Sequence, residues 1–272
     1  MKIGLTAGAS IPLHVDQFFE AIGITLLNAY GLTEMTSIYS GRNTECNVLG
    51  TAGLPLHGIE VKVVDPETGA ILKSGEKGLI KVRGPQLMKG YYKNIDATMK
   101  AIDKDNWLDT GDLGWLASQK PGGGRRCGGM MVVEGRAKDT IVLSTGENVE
   151  PIEIEAAALE SNLIEQIVVV GQDQRRLGAL IVPNMEAIQL EARELAKSKG
   201  ITSQPTVGDF KELIRRELIE HTSRCPFHIG PFVLLEEHFT VDSGLLTPTL
   251  KVRREKIHMK FQDKIANMFH KE

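Results

Sequence analysis

Two periods of apolar residues run along this chain, and they divide it into elements before any other feature is considered. Residues 3–7 form a short apolar run of strand type. In "SIPLHVDQFFEAIG", Val15, Phe18, Phe19 and Ile22 fall at i, i+3, i+4 and i+7, one face of a helix. Ser10 suits the N-cap and Gly23 the position just past the helix end. "ITLLNAY" follows as a strand, so the opening reads strand, helix, strand. A chain whose first residues already read as a buried strand is expected to begin inside a structural unit.

From residue 50 to 135 the period shortens. "IEVKVVD", "KGLIKVRG" and "MMVVEGR" read as strands, and "PETG" as a tight turn after the first. Frequent Gly and Pro suit a small barrel or antiparallel sheet. The stretch "KPGGGRRCGG" resembles a phosphate loop in composition only; it has no GxxxxGK[ST] pattern and reads as an insertion between strands. Past Arg136 helical and strand patterns mix. Helices are expected over "EPIEIEAAALESN", with Pro151 in its first turn, over "EAIQLEARELAKSKG", ending at Gly200, and over "VGDFKELIRRELIEHTS". "EQIVVVGQDQRRLGALIVPN" reads as two strands and "PFVLLEE" as another. Ile257, Phe261, Ile265 and Met268 mark one face of a final helix.

Composition narrows the class. The 272 residues, 42% hydrophobic and 25% charged, allow one large or two ordinary globular domains. The net charge of −3 argues against a nucleic-acid module. Residues 1–136 carry 15 Lys+Arg against 14 Asp+Glu, and residues 137–272 carry 17 against 21, so neither half is basic. Three separated cysteines make no disulfide framework, which favours a reducing, intracellular setting. No apolar run reaches the ~18–20 residues of a membrane span.

Four stretches could carry chemistry. In "NAYGLTEMTS", Tyr30 could stack a flat ring, Gly31 admit a phosphate to the backbone, Thr33 bond a phosphate oxygen, and Glu34 hold a hard cation; the competing reading is a strand-ending turn. In "NWLDTGDLGWL", Asp112 on a loop could accept both hydroxyls of a vicinal diol, or simply form an Asx-turn. Arg136 and Lys138 in "EGRAKDTIVLSTGENVEP" could clamp a phosphate or belong to a solvated linker. Lys251 in "GLLTPTLKVRREKI" follows a stiff Thr-Pro-Thr segment and could deliver a point charge. Arg253, Arg254 and Lys256 then crowd a helix start, where cations oppose the macrodipole; the competing reading is a basic solvated face. His221, Cys225 and His228 have zinc-like spacing but lack a fourth ligand, which favours plain helix-end polar residues.

Taken in order, "AGASIP", "NAYGLTE", "GLPLHGIEVKVVD", "GPQLMKGYYKN", "WLDTGDLGWL", "VEGRAKDTIVLSTGENVEP" and "GLLTPTLKVRR" resemble the adenylate-forming (AMP-binding) superfamily over nearly the whole chain. "GENVEP" and "LLTPTLKVRR" are similar to the long-chain fatty-acid branch, and within it to plant plastid ligases acting with acyl-carrier protein. The resemblance implies an α/β and α+β fold: a β-rich remnant of the large AMP-binding domain over residues 1–136, then a small α+β C-terminal lid domain over 137–272. It implies ATP or AMP and Mg²⁺ as cofactors. Gly8, Ala9 and Ser10 would line the adenine and acyl pocket, Tyr30 would stack on the adenine, Gly31 would belong to the cofactor-binding turn, and Asp112 would hold the ribose. Arg136 would lie near phosphate and ribose, Thr33 on phosphate and Glu34 on the metal. Lys138 would be the hinge, and Lys251 the lysine of the adenylation half-reaction.

Long-chain fatty acid and CoA or acyl-carrier protein are the implied partners, with a plastid location; peripheral membrane association of the parent enzyme is left open. Two departures from the family pattern stand out. The Ser/Thr/Gly-rich loop ending in Lys-Gly is absent, and Asn148 replaces an arginine that some acyl-CoA relatives carry. The chain is therefore expected to be the C-terminal portion of a fatty acid ligase. The alternative is a non-catalytic fragment that binds AMP or a partner subunit.

Overall fold

Strand, helix and strand form where the periodicity places them. In the computed structural model, which describes residues 2–8, 11–118, 128–198 and 204–270, β1 (Ile3–Ala7), α1 (Leu13–Ala21) and β2 (Thr25–Leu32) open the chain. Gly23, at φ +77°, takes the left-handed conformation that ends α1. The residue before α1 is Pro12 rather than Ser10, and Ser10 lies outside the described residues. The apolar face of α1 turns only part-way inward: Asp16 is the helix's buried residue and Val15 and Phe19 are half-buried, while Phe18 and Ile22 stand 57% and 52% exposed. Asp16 is drawn in by Arg42, which reaches both carboxylate oxygens at 3.0 and 2.7 Å. The Gly50 amide adds a third hydrogen bond to the carboxylate.

β3 (Ser37–Gly41) and β4 (Leu54–Pro55) complete the first sheet, in the order β1-β2-β3-β4. β1 and β2 are parallel and the other pairs antiparallel. A second, antiparallel sheet takes β5 (Glu60–Val64), β6 (Gly78–Arg83), β7 (Leu108–Leu116) and β8 (Met131–Arg136) in sequence order. The expected run of strands is thus present, with α2 (Ile95–Ala101) added before β7. The insertion at 120–129 lies outside the described residues apart from its last two. The sheets meet where Met131 bonds Gly53 and Ala52. Met35, Tyr39, Val82, Leu108 and Met131 fill the core between them.

Contacts divide the chain into two units, Met1–Lys138 and Asp139–Glu272. The second unit begins with the small hairpin β9 (Ile141–Val142) and β10 (Asn148–Val149). It continues through α3 (Pro151–Ala158), β11 (Ile164–Val170), β12 (Leu177–Pro183), α4 (Met185–Ser198), α5 (Val207–His221), β13 (Ile229–Leu234), α6 (Arg254–Lys260) and α7 (Gln262–Phe269). β12 is the central strand, and all seven of its residues are buried. Alternation sends Ala179 and Ile181 to one face, against Ile188, Leu213 and Ile214. Leu180 and Val182 point to the other, against Ile257, Phe261 and Met268. The last apolar stripe is therefore confirmed, on two helices broken at Phe261 rather than one.

The mixed α/β architecture expected from the sequence is what forms, with seven helices among the described residues. Cys225 is a free, buried thiol. Cys46 is disulfide-bonded, so cysteine count does not by itself argue for a reducing compartment. Among the described residues no helix is long and apolar enough to cross a membrane.

Candidate functional site

Parallel pairing places the first candidates side by side. The register runs from Ile3↔Thr25 to Ala7↔Ala29, so Gly8 and Tyr30 follow at the carboxyl end of the pair. That end is where open α/β sheets take ligands. The β2–β3 register shifts between Tyr30 and Gly31. A Cβ on Gly31 would lie 1.9 Å from the Ser37 carbonyl oxygen, so close approach of β3 already requires glycine here. Thr33–Met35 then forms a 3₁₀ turn, and Thr36, at φ 54°, closes it in the left-handed region. Thr33 is exposed on this turn. Glu34 is fixed at two points: its carbonyl accepts from the Met88 amide at 2.8 Å, and its carboxylate from the Tyr91 hydroxyl at 2.8 Å. That hydrogen bond, with some burial, raises the Tyr91 phenol above its ordinary pKa.

Asp112 reaches the same place from the second sheet. Gly111, at φ +69°, marks the irregularity where β7 shifts register against β6. The Thr110 hydroxyl bonds the Ile80 carbonyl at 2.7 Å and accepts the Asp112 amide at 3.1 Å. Asp112 is 5% exposed, on a strand rather than the loop expected from its glycines. Its carboxylate accepts a hydrogen bond from the Tyr30 hydroxyl and another from Arg136 Nε at 3.1 Å. Tyr39 packs edge-on to Tyr30 with centroids 5.1 Å apart, and its hydroxyl is buried. Burial, with Tyr39 and Asp112 adding to it, pushes the Tyr30 phenol far above its ordinary value; burial does the same to Tyr39. Both phenols therefore stay neutral donors through the physiological range.

Lys251 belongs to the second unit. Leu246 and Val252 form an antiparallel bridge, and between them Thr247 and Lys251 are tied by two hydrogen bonds, of 2.8 and 3.0 Å. Leu250, at φ 60°, completes the turn, and Lys251 stands exposed at its neck. Three residues on, Arg254 forms a bidentate pair with Glu155 at 2.8 and 2.5 Å. Glu155 also accepts the Val169 amide at 2.7 Å, so α3, β11 and the start of α6 are locked together just past Lys251. Burial opposes the Arg254 charge, and the Glu155 carboxylate more than offsets it. The cations at this helix start are thus not all free for ligand: Arg254 is structural.

The first unit gathers Gly8, Tyr30, Gly31, Thr33, Glu34, Asp112 and Arg136. Lys138 is that unit's last residue, and Ala9 and Ser10 lie outside the described residues. Tyr39, Tyr91 and Glu155 escaped sequence reasoning. Tyr39 follows Tyr30 by nine residues across a hairpin, Tyr91 sits unremarked in "GYYKN", and Glu155 is 99 residues from its partner. Among the described residues no three His, Cys, Asp or Glu side chains group as a metal site. His221 instead lies 3.5 Å from Glu217 and 3.9 Å from Glu160. A cation at Glu34 would have one protein carboxylate, which suits Mg²⁺ completed by phosphates and water.

Residues 1–92 match the family described as AMP-binding enzyme, and residues 138–215 match the AMP-binding enzyme C-terminal domain. The chain belongs to the AMP-binding enzymes. An Arabidopsis thaliana relative, a chloroplastic long-chain-fatty-acid–[acyl-carrier-protein] ligase, is 52% identical over 98% of this chain and 36% of its own length. A long-chain-fatty-acid–CoA ligase of Mycobacterium bovis is 30% identical over the whole chain and 42% of its own length. This AMP-binding family member therefore spans well under half of the curated relatives it matches. Among solved structures, the adenylation domain of a carboxylate reductase from Mycobacterium chelonae shares the fold, with TM-score 0.77 at 23% identity over 97% of this chain and 38% of its own.

Proposed function

We propose that this chain is the nucleotide-seating and C-terminal part of an ATP-dependent long-chain fatty acid ligase. The observation that carries the reading is the convergence of Tyr30, Asp112 and Arg136 at the carboxyl end of a parallel strand pair. A carboxylate offers about four lone-pair sites, so Asp112 can hold a ribose diol beside its present partners. In this reading Tyr30 flanks the adenine, with Gly8, Ala9, Ser10 and Gly31 lining its surroundings. The Thr33 hydroxyl donates to a phosphate oxygen, and Arg136 places its charge near phosphate and ribose.

In the parent reaction a fatty carboxylate oxygen attacks the α-phosphate of ATP and pyrophosphate leaves. A thiol of acyl-carrier protein or CoA then takes the acyl group and AMP departs. Both first reactants are anionic, so charge compensation dominates the barrier. Lys251 supplies a point charge for that step, on a neck kept in shape by the Arg254–Glu155 pair. Mg²⁺, when bound through Glu34, would screen the phosphates. Lys138, at the boundary of the two units, is the pivot of the second. Acyl-carrier protein as acceptor, and a plastid location, are favoured by the identity to the Arabidopsis relative.

A second reading is a polypeptide that binds AMP without catalysis, since the Tyr30–Asp112–Arg136 cluster can hold a nucleotide without Lys251 acting on it. Hydroxamate trapping with ATP, Mg²⁺ and palmitate separates the two. Signal that disappears in Lys251→Ala supports the ligase; no signal, with AMP binding retained, supports the binding fragment.

A further inference from the structure

α2 buries no residue, so hydrophobic cover does not account for it. Its polar groups point to another use. The Asn94 side chain caps it through the Ala97 amide at 3.0 Å. The Thr98 hydroxyl donates to the Asn94 carbonyl at 2.8 Å and accepts from the Tyr91 amide at 2.9 Å. The Asn94 amide closes on the Tyr91 carbonyl at 3.2 Å. Gly90, at φ +143°, lets the chain pass this close, since a Cβ there would lie 2.7 Å from the Thr98 methyl. α2 thus brackets one residue, Tyr91, by its amide and its carbonyl. Tyr91 in turn makes the last of three hydrogen bonds that tie residues 86–91 to the Thr33–Met35 turn. The Thr36 hydroxyl donates to the Gln86 carbonyl, the Met88 amide to the Glu34 carbonyl, and the Tyr91 hydroxyl to Glu34 Oε1, each at 2.8 Å. That turn needs support: Thr36 and Ser37, neither of them glycine, stand at φ 54° and 95°. The first two bonds hold backbone; the third reaches a side chain.

We propose that Tyr91 is a positioning residue: its hydroxyl, held in place by α2, fixes the Glu34 carboxylate through Oε1 and leaves Oε2 to a divalent cation on the nucleotide phosphates. The proposal rests on the cation role given to Glu34 above. Three observations support it. Among the described residues no three metal-ligating side chains gather, so a cation at Glu34 would have a single protein carboxylate and no fellow ligand to set its geometry. A free Glu side chain has much rotamer freedom to lose, and a hydrogen bond that removes it beforehand favours the bound state. A neutral hydroxyl orients the carboxylate without cancelling its charge, whereas a lysine or arginine would compete with the cation. Oε2 carries no hydrogen bond among the described residues. The rival role for the bond is structural, a tether that secures α2 to the turn.

Calorimetric titration of ATP into the chain, once with Mg²⁺ and once with EDTA, tests the proposal, with metal-free AMP as the control. Mg²⁺ should tighten ATP binding to the parent chain, and Tyr91→Phe should weaken the Mg²⁺-dependent binding about tenfold. That variant removes one oxygen from a residue 39% exposed, so its unfolding midpoint and its metal-free AMP affinity should stay at the parent values. Glu34→Gln should lose the Mg²⁺ gain. Tyr91→Phe added to Glu34→Gln should change nothing further, because the hydroxyl acts only through the carboxylate. A gain lost in Glu34→Gln but kept in Tyr91→Phe would overturn the positioning role and leave the cation role of Glu34 standing. Additive losses in the double variant, or a lower unfolding midpoint or metal-free AMP affinity in Tyr91→Phe, would make the bond structural and overturn it as well. No Mg²⁺ gain in the parent chain would remove the cation role and the positioning role together. Absence of AMP binding would remove the nucleotide reading on which both stand.

Discussion

The second unit covers both faces of its sheet with its own helices; the first does not. Around β12, Ile181 packs against Ile188, Leu213 and Ile214, and Leu180 packs against Ile257, Phe261 and Met268. Around β1, the apolar residues Ile3 and Leu5 face solvent. Each unit nevertheless buries a bidentate carboxylate–guanidinium pair, Asp16–Arg42 in the first and Glu155–Arg254 in the second. In the second unit that pair supplements two apolar cores. In the first it holds Asp16 inward beside the half-buried Val15 and Phe19, while Phe18 stays exposed. Ion pairing can hold a helix whose hydrophobic cover is partial, but such a pair is weaker evidence of stability than a packed core.

Removing one member of each pair gives the largest expected effects. Asp16→Ala leaves Arg42 buried and uncompensated and should cost about 3–5 kcal/mol, as should Glu155→Ala for Arg254. Hydrogen exchange should show the first loss confined to residues 2–138 and the second to residues 139–270. Loss of protection in both units from either substitution would break the comparison. Shallower truncations sharpen it. Ile181→Ala should cost about 2–5 kcal/mol in denaturant unfolding. Leu5→Ala, of similar side-chain size but 70% exposed, should stay within about 0.5 kcal/mol. Equal costs would mean that the β1 surface is already covered in the isolated chain.

The same contrast separates what was legible in the sequence from what was not. The period of Val15, Phe18, Phe19 and Ile22 and the stop at Gly23 identified α1 correctly, since those are local properties. They could not show that Asp16 turns inward, because Arg42 selects that face from 26 residues away. α2 was missed although Ile95 and Met99 stand at i, i+4 and the Asn94 side chain accepts from the Ala97 amide at its start; the helix buries no residue, with Ile95 and Met99 73% and 66% exposed. The candidate chemistry of Tyr30, Glu34 and Asp112 was readable as motifs. The bond from Tyr30 to Asp112 depends on a register shift at Gly111 and a span of 82 residues, which no local pattern encodes. Arg254 was misjudged by helix-dipole reasoning for the same cause, a distant carboxylate outweighing a local term.

The central claim is that Tyr30, Asp112 and Arg136 seat a nucleotide monophosphate. Calorimetric titration of AMP into the chain and into its Asp112→Asn variant tests it most directly. The account predicts saturable binding to the parent chain, weakened about tenfold or more when the carboxylate loses half its acceptor capacity. AMP bound equally by both proteins, or by neither, would contradict it.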